Sequence, residues 1–248
     1  EAVGRPNMHF VPVKSVEQQA VSALHTRRQF LVVQRTALIN HCRGILTEFG
    51  MVMPVGADKV RRLLTEKLNN EAEMIPSILH VLMQDHLDDL KRVEERIEAI
   101  DKQLAQGAKH NQQAITLQQM RGIGIITATA FASGVCDARL FKNGRQFAAW
   151  LGLVPRQYSS GGKNKLGSIT KAGDAYLRTM LTQGARSIVF HSKDKNDAFS
   201  LWIQRLIARI GMNKAVIAVA AKQARVMWAM MTKNIAYEPD RICSPLST

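Results

Sequence analysis

Eight side chains, Leu79, Met83, His86, Leu90, Val93, Ile97, Ile100 and Leu104, recur in alternating steps of four and three, with Asp, Glu, Lys and Arg crowding the positions between them. That period is served only by a long helix that lays one stripe against another helix. The seam therefore predicts helix pairing, either within the chain or between two copies of it. Asp85, Asp88 and Asp89 share this helix and read as its solvated face, not as a carboxylate cluster.

A partner helix precedes it. Ser15 and Gln18 have the spacing of a capping box, and Val16, Ala20, Leu24, Leu31, Leu38, Ile45 and Phe49 then recur at helical intervals until Gly50. A loop containing Pro54 leads to a second helix over Ala57 to Leu68. The polar segment Gly107 to Gln113 marks a change of character, and beyond it short helices are punctuated by glycine. Helices are expected over Asp174 to Val189, Ala198 to Ile210 and Lys214 to Met231, with strand character only near Leu153 to Ser160 and Leu166 to Ile169. Residues 13–106 form a helical linker, 114–232 a second domain and 233–248 a loose tail.

Charge narrows the function. The chain carries 34 Lys and Arg against 20 Asp and Glu, a formal net charge of +14. Thirteen Lys or Arg against three Asp lie between Pro155 and Arg225, so +10 of that excess is concentrated there. Cations so gathered gain free energy by displacing counterions from a phosphate backbone, which makes a polyanion the expected partner. Cys42, Cys136 and Cys243 are odd in number and widely spaced, and the seven histidines never fall at metal-ligand spacing, so no metal site is expected. Apolar runs are too short to span a bilayer and no signal-peptide plan opens the chain, which predicts a cytoplasmic protein with no membrane partner.

Two segments carry candidate chemistry. In Arg121-Gly122-Ile123-Gly124, glycines between two apolar helical stretches form a hairpin whose backbone amides can approach a phosphate, and Gly122 and Gly124 are the candidate contacts. An ordinary connection between helices would use the same glycines. A short helix, capped by Asn143 and closed by Gly152, follows with Phe147, Trp150 and Leu151 as core residues. Beyond it, Ser159-Ser160-Gly161-Gly162 sits in a basic turn with Arg156, Lys163, Lys165 and Lys171 around it. Thr170 can cap the next helix, whose early turns carry Tyr176 and Arg178. A serine in such a turn serves as a phosphate ligand or as a nucleophile, and spacing alone leaves both open.

Four motifs in order settle the likeness: Arg121 to Ala128, Phe147 to Arg156, Ser159 to Lys163 and Gly173 to Arg178. Together they resemble the C-terminal domain of insertion-sequence transposases of the Piv/MooV type. The resemblance implies a RuvC-like domain whose four acidic residues bind magnesium, a coiled-coil linker, and a serine-bearing domain. It also implies a recombinase guided by a structured bridge RNA that assembles as a homo-oligomer on DNA. Residues 1–12 then read as the remnant of the RuvC-like domain of a truncated chain. The catalytic serine falls on Ser160, with Ser159 as the other register. Arg156, Gly161, Gly162, Lys163, Lys165, Lys171 and Arg178 become DNA contacts. The acidic tetrad has no counterpart in these 248 residues, so this chain alone is expected to be inactive and to hold no cofactor.

The implied architecture is mainly α: a long coiled-coil helical linker, then a mostly helical DNA-binding domain with a helix-hairpin-helix-like element and a small basic β-turn. The rival expectation is a noncatalytic DNA- or RNA-binding helix-hairpin-helix module built on the same turn.

Overall fold

A computed structural model describes residues 12–53, 56–70, 76–160, 162–233 and 235–238. All but the last residue of the expected remnant at 1–12 and most of the tail lie outside them, as does Gly161. The fold is mainly α. In chain order come α1 (Val16–Glu48), α2 (Ala57–Asn70), α3 (Ser77–Ala108), α4 (Gln112–Gln118), α5 (Ile125–Gly134), a 3-10 turn (Ala138–Leu140) and α6 (Gly144–Trp150). Then follow β1 (Pro155–Ser160), β2 (Lys163–Ile169), α7 (Ala175–Phe190), α8 (Ala198–Ile210) and α9 (Met212–Lys233). The chain divides into two compact units, one over Ala23–Gln103 and one from Leu104 onward joined by residues up to Ser22.

In the first unit the heptad seam packs within the chain. Leu79, Met83 and Leu90 join Ile39, Cys42 and Leu46 from α1 and Val60, Leu64 and Leu68 from α2 in one apolar cluster. Val93, Ile97 and Ile100 continue the seam as buried side chains. The face that α1 buries overlaps the expected one in part: Leu31 is buried and Leu24, Leu38 and Ile45 are half-buried. Its buried residues are His25, Leu31, Ile39, Cys42 and Leu46, while Val16 and Phe49 are exposed. The expected stripe runs one residue out of step at Leu24, Leu38 and Ile45, because the buried one includes a polar side chain, His25, which periodicity of apolar residues does not register. Arg28 in this stripe pairs through its guanidinium with Asp101 of α3, the arrangement that lets a charge sit at a half-buried position.

His25 gives this unit a pH-dependent stability. It is 3% exposed, and burial first, then the charge of Arg28, lowers its pKa from 6.5 to about 4, against the opposing pull of Asp101. The folded imidazole therefore stays neutral where the unfolded one takes up a proton. Between pH 6.5 and 4 the unfolded state binds more protons, so stability falls as pH falls through that window. The loss should approach about 2–3 kcal/mol, read as a falling urea midpoint, and His25→Leu should flatten the slope between those limits. An unchanged slope in that variant would assign the acid sensitivity to another group.

In the second unit α9 is the central strut. Its Ala215, Val216, Val219, Ala220, Ala224, Met227 and Met230 are buried, and the helix packs against α4, α6, α7, α8 and the 3-10 turn. The capping box of α1 forms as expected, with Ser15 N donating to Gln18 Oε1 and Gln18 N donating to Ser15 Oγ. Phe131, Phe141, Phe147 and Trp150 form a ring cluster that seats α6. The glycine hairpin joins α4 to α5, and Gly122, at φ +74°, meets α7 at Gly184. A Cβ on Gly184 would lie 2.1 Å from Gly122 O, so these two backbones touch only because neither residue has a side chain. Asn143 caps α6 as expected. Thr170 does not cap α7; Asp174 does, accepting from Tyr176 N and Leu177 N. An N-cap residue must directly precede the first helical turn, and Gly173 breaks the chain direction between Thr170 and that turn.

Candidate nucleic-acid interface

The basic turn is a two-stranded antiparallel hairpin. Ser160 pairs with Lys163, Ser159 with Asn164, Tyr158 with Lys165, Gln157 with Leu166, and Pro155 with Ile169. The last two pairs leave Arg156 facing both Gly167 and Ser168, a β-bulge that twists the ribbon near its base. Every residue of β1 is exposed. Gly162, at φ +76° in the two-residue loop, supplies the left-handed conformation that such a tight hairpin needs.

Strand alternation sorts the candidates. Tyr158 and Ser160 lie on one face with their cross-strand partners Lys165 and Lys163, while Ser159 shares the opposite face with Gln157 and Leu166. The Tyr158 ring covers Gly167, where a Cβ would sit 3.2 Å from its Cε2. Ser159 Oγ accepts a hydrogen bond from Gln157 Nε2 at 2.8 Å. Among the described residues nothing hydrogen-bonds the Ser160 hydroxyl.

The hairpin is held at a narrow neck. Thr170 N donates to Val154 O at 2.9 Å and Lys171 N donates to Gly152 O at 3.2 Å. Arg178, half-buried on α7, donates from Nη1 to Leu151 O at 3.2 Å and to Ala172 O at 2.9 Å. It ties the two legs together. Arg156 leans on the same region, donating to Thr170 O at 3.4 Å, and Lys171 adopts φ +55° beside it. The predicted cation cluster is thus divided. Lys163 and Lys165 stand with Ser160 near the tip, whereas Arg156, Lys171 and Arg178 belong to the neck, about 13 Å away along a four-residue strand. Sequence spacing suggested that Arg156, Lys163, Lys165 and Lys171 all surround the serine turn, with Arg178 on the helix that follows.

Gly122 and Gly124 lie in a different turn. Gly122 faces α7, and Gly124 opens α5 at its N-cap, where a Cβ would meet nothing. Arg121 beside them pairs with Asp197 at 2.8 Å, and its carbonyl accepts from Gln223 Nε2 at 2.7 Å. Partial burial pushes the Asp197 carboxyl upward, but hydrogen bonds from Ser200 and Arg121 hold it below its ordinary value. The described residues contain no group of three or more His, Cys, Asp or Glu placed to hold a metal ion. No described helix is long and apolar enough to cross a membrane.

Sequence reasoning missed two arginines, Arg145 and Arg225, which α6 and α9 bring together. The available signal was an absence: residues 138–173 and 198–237 contain no Asp or Glu.

Known proteins are similar to this chain. Residues 114–200, which include the glycine hairpin, α6, the β-hairpin and α7, match the profile of the family described as Transposase IS116/IS110/IS902. A probable family 20 transposase of Pseudomonas aeruginosa is 43% identical over 240 residues, covering 96% of this chain and 71% of that protein. The transposase for insertion sequence element IS1111A of Coxiella burnetii is 42% identical over 238 residues, 96% of this chain and 65% of its own length. The transposase for insertion sequence element IS1328 of Yersinia enterocolitica is 36% identical, again over 96% of this chain and over 70% of its own. The chain spans about two thirds of the length of these relatives. It belongs to the IS116/IS110/IS902 family of transposases.

Proposed function

We infer that this chain supplies the DNA-contacting, serine-bearing part of a transposase, with Ser160 as the nucleophile of strand cleavage and exchange. The observation that carries this reading is the face of the hairpin on which Ser160 stands with Lys163, Lys165 and Tyr158. Two strands alone are marginally stable in water, and this pair buries nothing of β1 against the body of the protein, so a docked polyanion is its natural complement. Lys163 and Lys165 would grip the phosphates flanking the reacting one, and the Tyr158 ring offers a flat apolar surface to sugar or base.

In the cleavage step Ser160 Oγ attacks a backbone phosphorus, a P–O bond to one deoxyribose oxygen breaks, and that oxygen takes a proton as the serine gives one up. The product is a phosphoserine ester and a free strand end. Attack by the hydroxyl of an incoming strand reverses the step and restores both the phosphodiester and the serine. Exchange therefore conserves bond energy, and the neighbouring ammonium groups stabilise the charge on the pentacoordinate phosphorus. A magnesium site with its acids, a structured guide RNA and oligomeric assembly on DNA extend this reading. Because the α3 seam is buried within the chain, assembly would use other faces of the helical unit.

Binding to duplex DNA tests the interface. The pair Lys163→Ala and Lys165→Ala should weaken affinity and make the plot of log affinity against log salt shallower by about 2, close to 0.9 for each phosphate no longer neutralised. Unchanged affinity and slope would remove the hairpin from the interface. The noncatalytic reading differs at Ser160, where it expects only a mild effect of alanine on recombination.

A further inference from the structure

We propose that Arg145 and Arg225 form a second phosphate-binding site, on the face where α6 crosses α9, that engages the nucleic-acid backbone beyond the hairpin. The proposal rests on the reading of the chain as a polyanion binder and adds a place that the hairpin does not include.

The two arginines are held together by packing that has nothing to do with their charges. Gly144 is buried where α6 starts, and a Cβ there would lie 3.0 Å from Arg225 Cα and 3.1 Å from its carbonyl oxygen. The main chain next to Arg145 therefore rests directly on α9 at Arg225. Trp228 locks the same junction by donating from Nε1 to Ala138 O at 3.0 Å. Arg145 is exposed and Arg225 half-buried. Arg225 donates from Nε to Ala221 O of its own helix at 3.3 Å, and among the described residues neither arginine has a carboxylate partner.

Such a pair is unfavourable in the free protein. Arginine at a half-buried position normally finds an acid, as Arg28 finds Asp101 in the helical unit. Here no acid is at hand in sequence on either element, and burial together with the charge of Arg145 lowers the Arg225 pKa below its ordinary value. A phosphate relieves both costs at once, because it brings the missing charge and accepts from the forked guanidinium donors of both residues. Lys142, exposed three residues before Arg145, adds a further cation to this stretch of chain. The seven residues of α6 span about 10 Å between Arg145 and the neck of the hairpin, so one bound duplex can reach both places.

The test measures binding of the chain to a DNA duplex and, separately, to an RNA hairpin, each over a range of salt, for the parent, for Arg145→Ala and for the Lys163→Ala and Lys165→Ala pair. Arg145 is exposed, so its removal should leave the fold intact, and relief of repulsion should raise Tm slightly. Arg145→Ala should weaken binding to the engaged probe about 3- to 10-fold near 0.1 M salt and make its salt slope shallower by about 0.7 to 0.9. Its effect should add to that of the lysine pair, since the sites are separate. The probe that responds tells whether DNA or RNA lies there. A hairpin variant that loses binding beside an Arg145→Ala chain with parental slopes on both probes overturns this site alone. A parent chain that binds neither probe overturns both readings.

Discussion

Ser160→Ala should reduce transposition about a thousandfold or more in a plasmid assay of the element that encodes this chain, while leaving affinity for duplex DNA within about threefold. The two effects differ because they draw on different properties of one atom. As a ligand, the Ser160 hydroxyl contributes a single hydrogen bond, and its loss is offset by water at an exposed position. As a nucleophile it is the atom that becomes bonded to phosphorus, and alanine leaves nothing to take its place. Ser159→Ala is the internal control. Its hydroxyl faces away from the lysines and is engaged by Gln157, so its removal should cost less than tenfold. Transposition retained in Ser160→Ala would sink the nucleophile assignment and favour a noncatalytic nucleic-acid-binding role.

The choice between these two serines shows what the sequence could and could not convey. Adjacent residues in a turn look equivalent in sequence, yet adjacent residues in a strand point to opposite faces, so recognising the hairpin is what separates them. The strand signal was weak because both faces are exposed; with no apolar side to bury, β1 reads as Pro, Arg, Gln, Tyr, Ser and Ser, without hydrophobic alternation. The helices were far more legible. The α3 seam, the Ser15 and Gln18 capping box and the Asn143 cap are local patterns with one physical meaning, and each forms where the spacing put it. The α1 stripe was legible only in part, since buried His25 and half-buried Arg28 sit on it and the charge of Arg28 is met by Asp101 of a distant helix. The structural contacts of Arg178 were hidden for a related reason. Its charge suggested phosphate, but two backbone carbonyls brought together by folding claim its guanidinium.

Those carbonyls belong to the neck, and the neck makes the largest stability prediction. Gly173→Ala should destabilise the second unit by about 3 kcal/mol or more, a large share of the roughly 5–15 kcal/mol typical of a folded domain. Gly173 has φ +75°, which costs an L residue about 1–2 kcal/mol, and its Cβ would lie 1.9 Å from Trp150 O. That oxygen is main chain on α6, fixed by the aromatic cluster around Trp150, so it cannot step aside as a flexible side chain would. Gly152 repeats the constraint from the other leg, since a Cβ there would sit 2.3 Å from Ala172 O. Gly162 separates strain from collision: its φ is +76° but a Cβ at the hairpin tip would meet nothing within 4 Å. Gly162→Ala should therefore cost only the conformational part, about 1–2 kcal/mol. Denaturant unfolding of the two variants measures the difference, and equal losses would show that the two legs of the neck stand further apart than these distances require. The same comparison reaches function. Opening the neck displaces Ala172 O, an acceptor of Arg178, and re-aims the whole ribbon, so Gly173→Ala should lower transposition even at temperatures where the variant is still folded and its Ser160 is intact.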